Sequence, residues 1–180
     1  MGFIIILIVI LVLFVIWVVS TRNRIKMMEV KIDEAKSGID IALVKRYDIL
    51  TESLNVAKGY AAHEKQLMVQ LSEARTGMSL KQTQEVMENQ EKVLDRLKIV
   101  AEAYPQLYSN GLFKELQDQI AVTNEHLSAA KRVLNSNIAL YNQKIVAFPA
   151  SIIAGIIGCK KIAFFMETDK KKKQDVHMTF

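Results

Sequence analysis

The sequence predicts an all-α protein, an N-terminal transmembrane helix followed by an elongated antiparallel bundle of three long helices, a short apolar C-terminal segment and a basic tail. Three observations predict it. Residues 3–19 are apolar without exception. Only two prolines, Pro105 and Pro149, interrupt the 180 residues. Behind the first twenty positions, apolar side chains recur three or four residues apart, the period of one buried helix face. The boundaries that follow are an anchor over 1–20, a helical bundle over 21–149, a capping or interfacial segment over 150–166 and a disordered basic tail over 167–180.

The anchor comes first. Seventeen apolar residues, with Met1, Gly2 and Ser20, reach the ~20 needed to cross ~30 Å of hydrocarbon at ~1.5 Å per residue. The core of a cleaved signal peptide, with Val18, Val19 and Ser20 as its cleavage site, fits less well. No basic residue precedes the run, which exceeds the ~7–15 residues of such a core. N-myristoylation would need Ser or Thr where Ile6 stands. Arg22, Arg24, Lys26 and Lys31 follow the span directly, and basic flanks tend to stay on the cytoplasmic side. The expectation is a single-pass cell-membrane protein with its N-terminus outside and its helical body in the cytoplasm. There the lone cysteine, Cys159, stays reduced.

Charge narrows the partners. Of the net +5, residues 20–31 carry +3 and residues 150–180 another +3, which leaves −1 for residues 32–149. A folded body without a basic face argues against nucleic-acid binding. The basic stretch suits the bilayer surface, where each Lys or Arg gains about 1 kcal/mol from anionic headgroups.

Ile32, Ala35, Ile39, Leu43, Tyr47, Leu50, Leu54, Ala57, Ala61, Met68 and Leu71 form one stripe, so the first bundle helix is expected to run from the membrane to about Arg75. Lys36, Asp40, Lys45, Glu52 and Lys58 fall on its other face, and Gly59 inside it costs about 1 kcal/mol relative to Ala. Thr76, Gly77 and Met78 break the pattern, and Ser79 followed by Gln82 forms a capping box that opens the second helix. Val86, Val93, Leu97, Val100, Ala101 and Tyr104 are its stripe, and Pro105 ends it. After the Asn110-Gly111 turn, Phe113, Leu116, Ile120, Leu127, Ala130, Leu134, Ile138, Tyr141, Ile145 and Phe148 line a third helix that lasts until Pro149. Short connections make neighbours antiparallel, and heptad-like spacing permits coiled-coil self-association. Residues 152–157 and 162–166 are apolar but too interrupted by Gly155, Gly158, Lys160 and Lys161 to span a bilayer. They cap the bundle or lie at a membrane surface. The final residues, with four lysines at 170–173, read as disordered.

No active site is legible. His63-Glu64 resembles the start of a zinc-protease helix motif, but Leu67 stands where the second histidine belongs. A site of His63, His126 and a carboxylate is geometrically open to a bundle, and a metal-dependent hydrolase using His63 and Glu64 is the alternative it defines. A histidine on a helix surface is the simpler reading. In Lys45-Arg46-Tyr47-Asp48, Tyr47 belongs to the stripe and Asp48 can pair with Lys45 at i+3, which makes a helix–helix clamp. Phosphate loops, nucleophile elbows and clusters of metal ligands do not occur, and the methionines suit adaptable packing. The sequence therefore points to no enzyme, no cofactor, and no catalytic, cofactor-binding or metal residues. It points to an interaction or scaffold protein that forms a homo-oligomer or docks envelope proteins through its helix faces.

Several short motifs occur in one order: Ile39-Asp40, Leu43, Lys45-Arg46-Tyr47-Asp48, Lys58-Gly59-Tyr60-Ala61-Ala62-His63-Glu64, Ala74-Arg75, Tyr104-Pro105, Leu107, Phe113, Leu116-Gln117, Tyr141-Asn142, Ile145 and Phe148-Pro149. Together they resemble the LemA family over nearly the whole chain. The resemblance implies a bacterial, single-pass, membrane-associated helical bundle and no particular reaction. The family usually has Trp at Lys36, Pro-Asn at Thr51-Glu52, Tyr at Leu134 and Phe at Cys159. With Thr51 in place of a proline, an uninterrupted first helix is expected here.

Overall fold

The computed structural model describes residues 2–61, 64 and 70–165. Five helices follow one another, α1 (Gly2–Tyr60), α2 (Leu80–Ala103), α3 (Pro105–Tyr108), α4 (Gly111–Val146) and α5 (Ala150–Ile156), with no strand among the described residues. The expected tail, 167–180, lies outside them.

α1 runs through Thr51 without a break. The Thr51 hydroxyl donates to the Tyr47 carbonyl at 2.8 Å, a bond a proline could not make. The helix ends at Tyr60, however, and not near Arg75 as the apolar spacing suggested. Residues 70–75 are not helical. Ala74 and Met78 are nevertheless buried, and Leu71 packs against the core. The spacing of Leu71 imitates a helix while an asparagine of α2 holds the backbone open. Asn89 Oδ1 accepts the Ser72 N–H at 2.7 Å, and Asn89 Nδ2 donates to the Gln70 carbonyl at 3.1 Å. One side-chain amide thereby satisfies backbone groups that a helix would have paired internally.

The segment leads back to the level of Asp40. Gly77, at φ +79°, supplies the left-handed turn that a residue with Cβ resists, and its N–H donates to Asp40 Oδ2 at 2.9 Å. The predicted capping box then starts α2: Ser79 Oγ accepts the Gln82 N–H at 3.3 Å and Gln82 Oε1 accepts the Ser79 N–H at 2.9 Å. Thr83 donates to Asp40, Gln90 to the Leu43 carbonyl, and Arg46 to Glu91. Both partners rise in number together, so α2 runs parallel to α1. The expected antiparallel pairing is made by α4.

The chain divides into two compact units. One comprises residues 36–131 with Phe165. Its core joins Ile49, Leu50, Leu54 and Ala57 of α1 to Val93, Leu97 and Val100 of α2, Leu107 of α3, and Phe113, Leu116 and Ile120 of α4. Each fully buried Leu, Ile, Val or Phe contributes about 1.5–3 kcal/mol. Pro105 ends α2 and also opens α3 as its first residue, where a missing N–H costs nothing. Asn110 caps α4, its Oδ1 accepting the Phe113 N–H at 2.9 Å, and its Nδ2 donates to the Tyr60 hydroxyl at 2.9 Å. The start of α4 is thus fastened to the end of α1.

The other unit comprises residues 2–35 and 132–164. Ile25 and Ile32 of α1, Leu134, Ile138, Tyr141 and Ile145 of α4, and Ala150, Ile153 and Ala154 of α5 are buried. Asn137 Nδ2 donates to the Lys31 carbonyl at 3.0 Å, and the Tyr141 hydroxyl donates to Glu29 at a long 3.4 Å. Here numbers rise on α4 as they fall on α1, so the two are antiparallel. α5 closes in a Schellman turn: Gly158 sits at φ +74°, the Cys159 N–H donates to the Ala154 carbonyl and the Gly158 N–H to that of Gly155. Asn142 then clamps the outgoing chain, accepting the Ile162 N–H at 3.0 Å and donating to its carbonyl at 2.8 Å. Phe148, expected in the stripe, is instead 83% exposed.

Candidate functional site

The polar residues most deeply buried are Asp40, Arg46, Ser53, Thr83, Gln90 and Thr123, each at most 1% exposed. The first five lie on α1 and α2. Ile32, Ile39, Arg46 and Ser53 stand seven residues apart on α1, as Thr83, Gln90 and Leu97 do on α2, so polar groups occupy heptad positions that normally carry apolar knobs. That repeat is the sequence signal for the seam. Apolar spacing alone does not reveal it and puts Tyr47 in the stripe. Arg46 holds that place, and Tyr47 is half-buried.

Asp40, Arg46, Thr83 and Gln90 each tie one chain segment to another. Arg46 Nη2 meets Glu91 Oε2 at 2.8 Å, so a helix–helix clamp forms here, but from Arg46 and α2 and not from Lys45 and Asp48. Gln90 Nε2 donates to the Leu43 carbonyl at 3.0 Å, and the Ser53 hydroxyl turns back on Ile49 at 2.8 Å. Arg46 Nε and Gln90 Oε1 are buried without a protein partner. Because Gln90 neighbours Glu91 and Leu43 lies one turn before Arg46, both unmet atoms belong to one stretch of the seam. The arrangement fixes the register of parallel helices, the best attested use of buried polar groups. It brings no nucleophile to a base.

The histidine hypothesis gains nothing. His63 lies outside the described residues. Glu64 is not helical, and its N–H donates to the Ala61 carbonyl at 3.0 Å. His126 is exposed on α4. Among the described residues no three His, Cys, Asp or Glu side chains could hold a metal ion together.

In the unit of residues 2–35 and 132–164, Lys26 pairs with Glu29 at 2.7 Å, and that carboxylate holds the ammonium above its ordinary pKa. Burial pushes the Tyr141 hydroxyl up strongly, and its contacts with Cys159 and Glu29 add to the effect. A neutral phenol donating to a carboxylate is a structural tie.

Several of the motif residues hold the fold together. Asp40 receives the returning backbone, Arg46 reaches α2, Tyr60 accepts from Asn110, Asn142 clamps Ile162, and Leu107, Phe113 and Leu116 fill the core. What the fold does not cover is the start of α1. Residues 2–16 are exposed, and α1 is long and apolar enough to cross a membrane. A shallow groove including Val19, Ser20, Asn23 and Arg24 marks the change from apolar to basic.

The chain matches the model of the LemA family over residues 35–180. It is also similar to the magnetosome protein MamQ of Magnetospirillum gryphiswaldense, 27% identical over 74 residues. That alignment covers 41% of this chain, which spans only 27% of the relative's length.

Proposed function

The chain belongs to the LemA family, and on that premise we propose that it is a membrane-tethered helical scaffold that self-associates or docks envelope proteins and catalyses no reaction. The observation that carries this reading is the continuity of α1: one helix provides the bare apolar surface of residues 2–16 and, farther on, the buried core positions from Ile25 to Ala57. Tether and body cannot be separated without breaking a helix. Family motif residues spent on packing and clamps, with no metal-ligand cluster among the described residues, support the same reading.

Partners would meet the helix faces. Ile41, Ile99, Tyr108, Val122, Val133 and Leu140 are large apolar side chains left about half exposed or more. The charge bias of Arg22, Arg24, Lys26 and Lys31 supports a body in the cytoplasm and an N-terminus outside. Crosslinking in native membranes, read by mass spectrometry, tests the scaffold. Reproducible homo-oligomers or envelope partners are expected, and recovery of monomer alone would refute it. Protease added to intact spheroplasts tests the topology. The body should survive until lysis, and its cleavage in intact cells would reverse the orientation.

A further inference from the structure

Within the unit of residues 2–35 and 132–164, the register of α4 against α1 locates the far end of α4. Asn137 meets Lys31 and Tyr141 meets Glu29. Val146, the last residue of α4, follows Tyr141 by five residues, about 7.5 Å of antiparallel helix at ~1.5 Å per residue. That brings the end of α4 level with about Arg24, five residues from the last apolar residue of the span, Val19, and Phe148 lies in the turn that follows. Burial along α1 agrees. Thr21 and Ile25 are covered, Trp17 and Val18 are partly covered, and residues 2–16 are bare. The turn after α4, together with α5, therefore sits where the hydrocarbon ends.

At that level the fold exposes apolar side chains. Phe148 is 83%, Ile152 56% and Ile156 79% exposed, spaced by four residues, while Ala150, Ile153 and Ala154 bury the opposite side of α5. Lys160 and Lys161 follow, both exposed. An apolar stripe beside lysines is the pattern of a helix lying in the headgroup and acyl boundary. Its continuity with the apolar span names the occupant.

We propose that Phe148, Ile152 and Ile156 form a second membrane contact, inserted into the same bilayer that α1 crosses, with Lys160 and Lys161 facing anionic headgroups. The proposal rests on the insertion of α1, and it adds that the foot of the bundle is seated on the lipid and does not stand clear of it. Seating at two points restricts the tilt of the unit against the membrane.

The test uses the full chain in vesicles of phosphatidylglycerol and phosphatidylcholine carrying bromine either near the headgroup or at mid-chain, with tryptophan fluorescence as the depth gauge. Trp17 is the sole tryptophan and reports insertion of α1. In a Trp17→Phe background, Phe148→Trp should lose intensity to bromine near the headgroup and much less to bromine at mid-chain. Ile156→Trp serves as a second reporter should the first variant misfold. Val133→Trp, exposed on α4 and about 20 Å farther from the membrane at ~1.5 Å per residue, should be unaffected. If Trp17 is quenched while tryptophan at 148 and at 156 is not, the second contact is refuted and the anchor stands. A blue-shifted but unquenched signal assigns the patch to a second protein copy and equally refutes the proposal. If Trp17 itself escapes quenching, the anchor fails and the second contact falls with it.

Discussion

The two units solve the same problem with matching parts. Each holds one stretch of non-helical chain against a helix with a single asparagine, Asn89 for residues 70–72 and Asn142 for Ile162. Each turns that chain with one left-handed glycine, Gly77 or Gly158. They differ in what supports the glycine. Gly77 donates to Asp40, a buried carboxylate on another helix, whereas Gly158 and Cys159 bond to α5 itself. The first turn exists only when α1 and α2 are docked, and the second is a local helix end. Long-range ties should therefore be the more costly to cut.

The largest effect is expected at the ion pair of the α1–α2 seam. Glu91→Ala leaves the 1%-exposed Arg46 without its partner, itself 58% exposed, and should cost about 1.5–3 kcal/mol. Arg46→Met, which removes the buried charge itself, should cost less. Denaturant titration of both variants checks the order, and a larger loss in Arg46→Met would show that the guanidinium acts through packing. Next come the asparagines. Asn89→Ala and Asn142→Ala each remove two hydrogen bonds and should cost about 1–3 kcal/mol. Hydrogen exchange should reveal the difference between the units: protection lost through α2 in the first case, but only around Ile162 in the second. Equal, local losses would erase that difference between the units.

Glycine replacement is a finer comparison. An added Cβ meets nothing within 4 Å at either site, so only backbone conformation is taxed, by about 1 kcal/mol. Gly77→Ala should exceed Gly158→Ala because it also displaces the N–H held by Asp40. Matching melting shifts would argue that Asp40 contributes little. The smallest effect at neutral pH belongs to Tyr141. Its folded-state pKa is raised by burial, so the folded chain keeps a proton that the unfolded chain releases near pH 10. Stability is complete below that pH and falls as pH rises above it. Absorbance titration at alkaline pH should show one late phenol, absent in Tyr141→Phe, and a Tyr141→Phe protein whose stability declines less there.

Local chemistry was legible in the residues alone. The uncharged run through Val19 requires lipid or protein around it on every side, Ser79 and Gln82 cap α2 with each other, and Pro105 and Asn110-Gly111 mark ends that depend on three or four neighbours. The unbroken α1 followed from Thr51. Two readings went astray for one reason. Leu71 keeps the apolar spacing of α1, and nothing within ten residues reveals that Asn89 will hold this backbone open. The spacing gives Tyr47 the stripe position that Arg46 holds, because the partner of Arg46 lies 45 positions away.

By itself, then, the sequence determined an all-helical chain with a bare apolar start, because both properties are set by side chains within a few turns of one another. Tertiary structure alone decided where α1 stops, that α2 ascends beside it and not against it, and that Phe148 faces outward. The first two depend on pairing a backbone or charged group with a partner distant in sequence, and such a group is satisfied only once the helices have met.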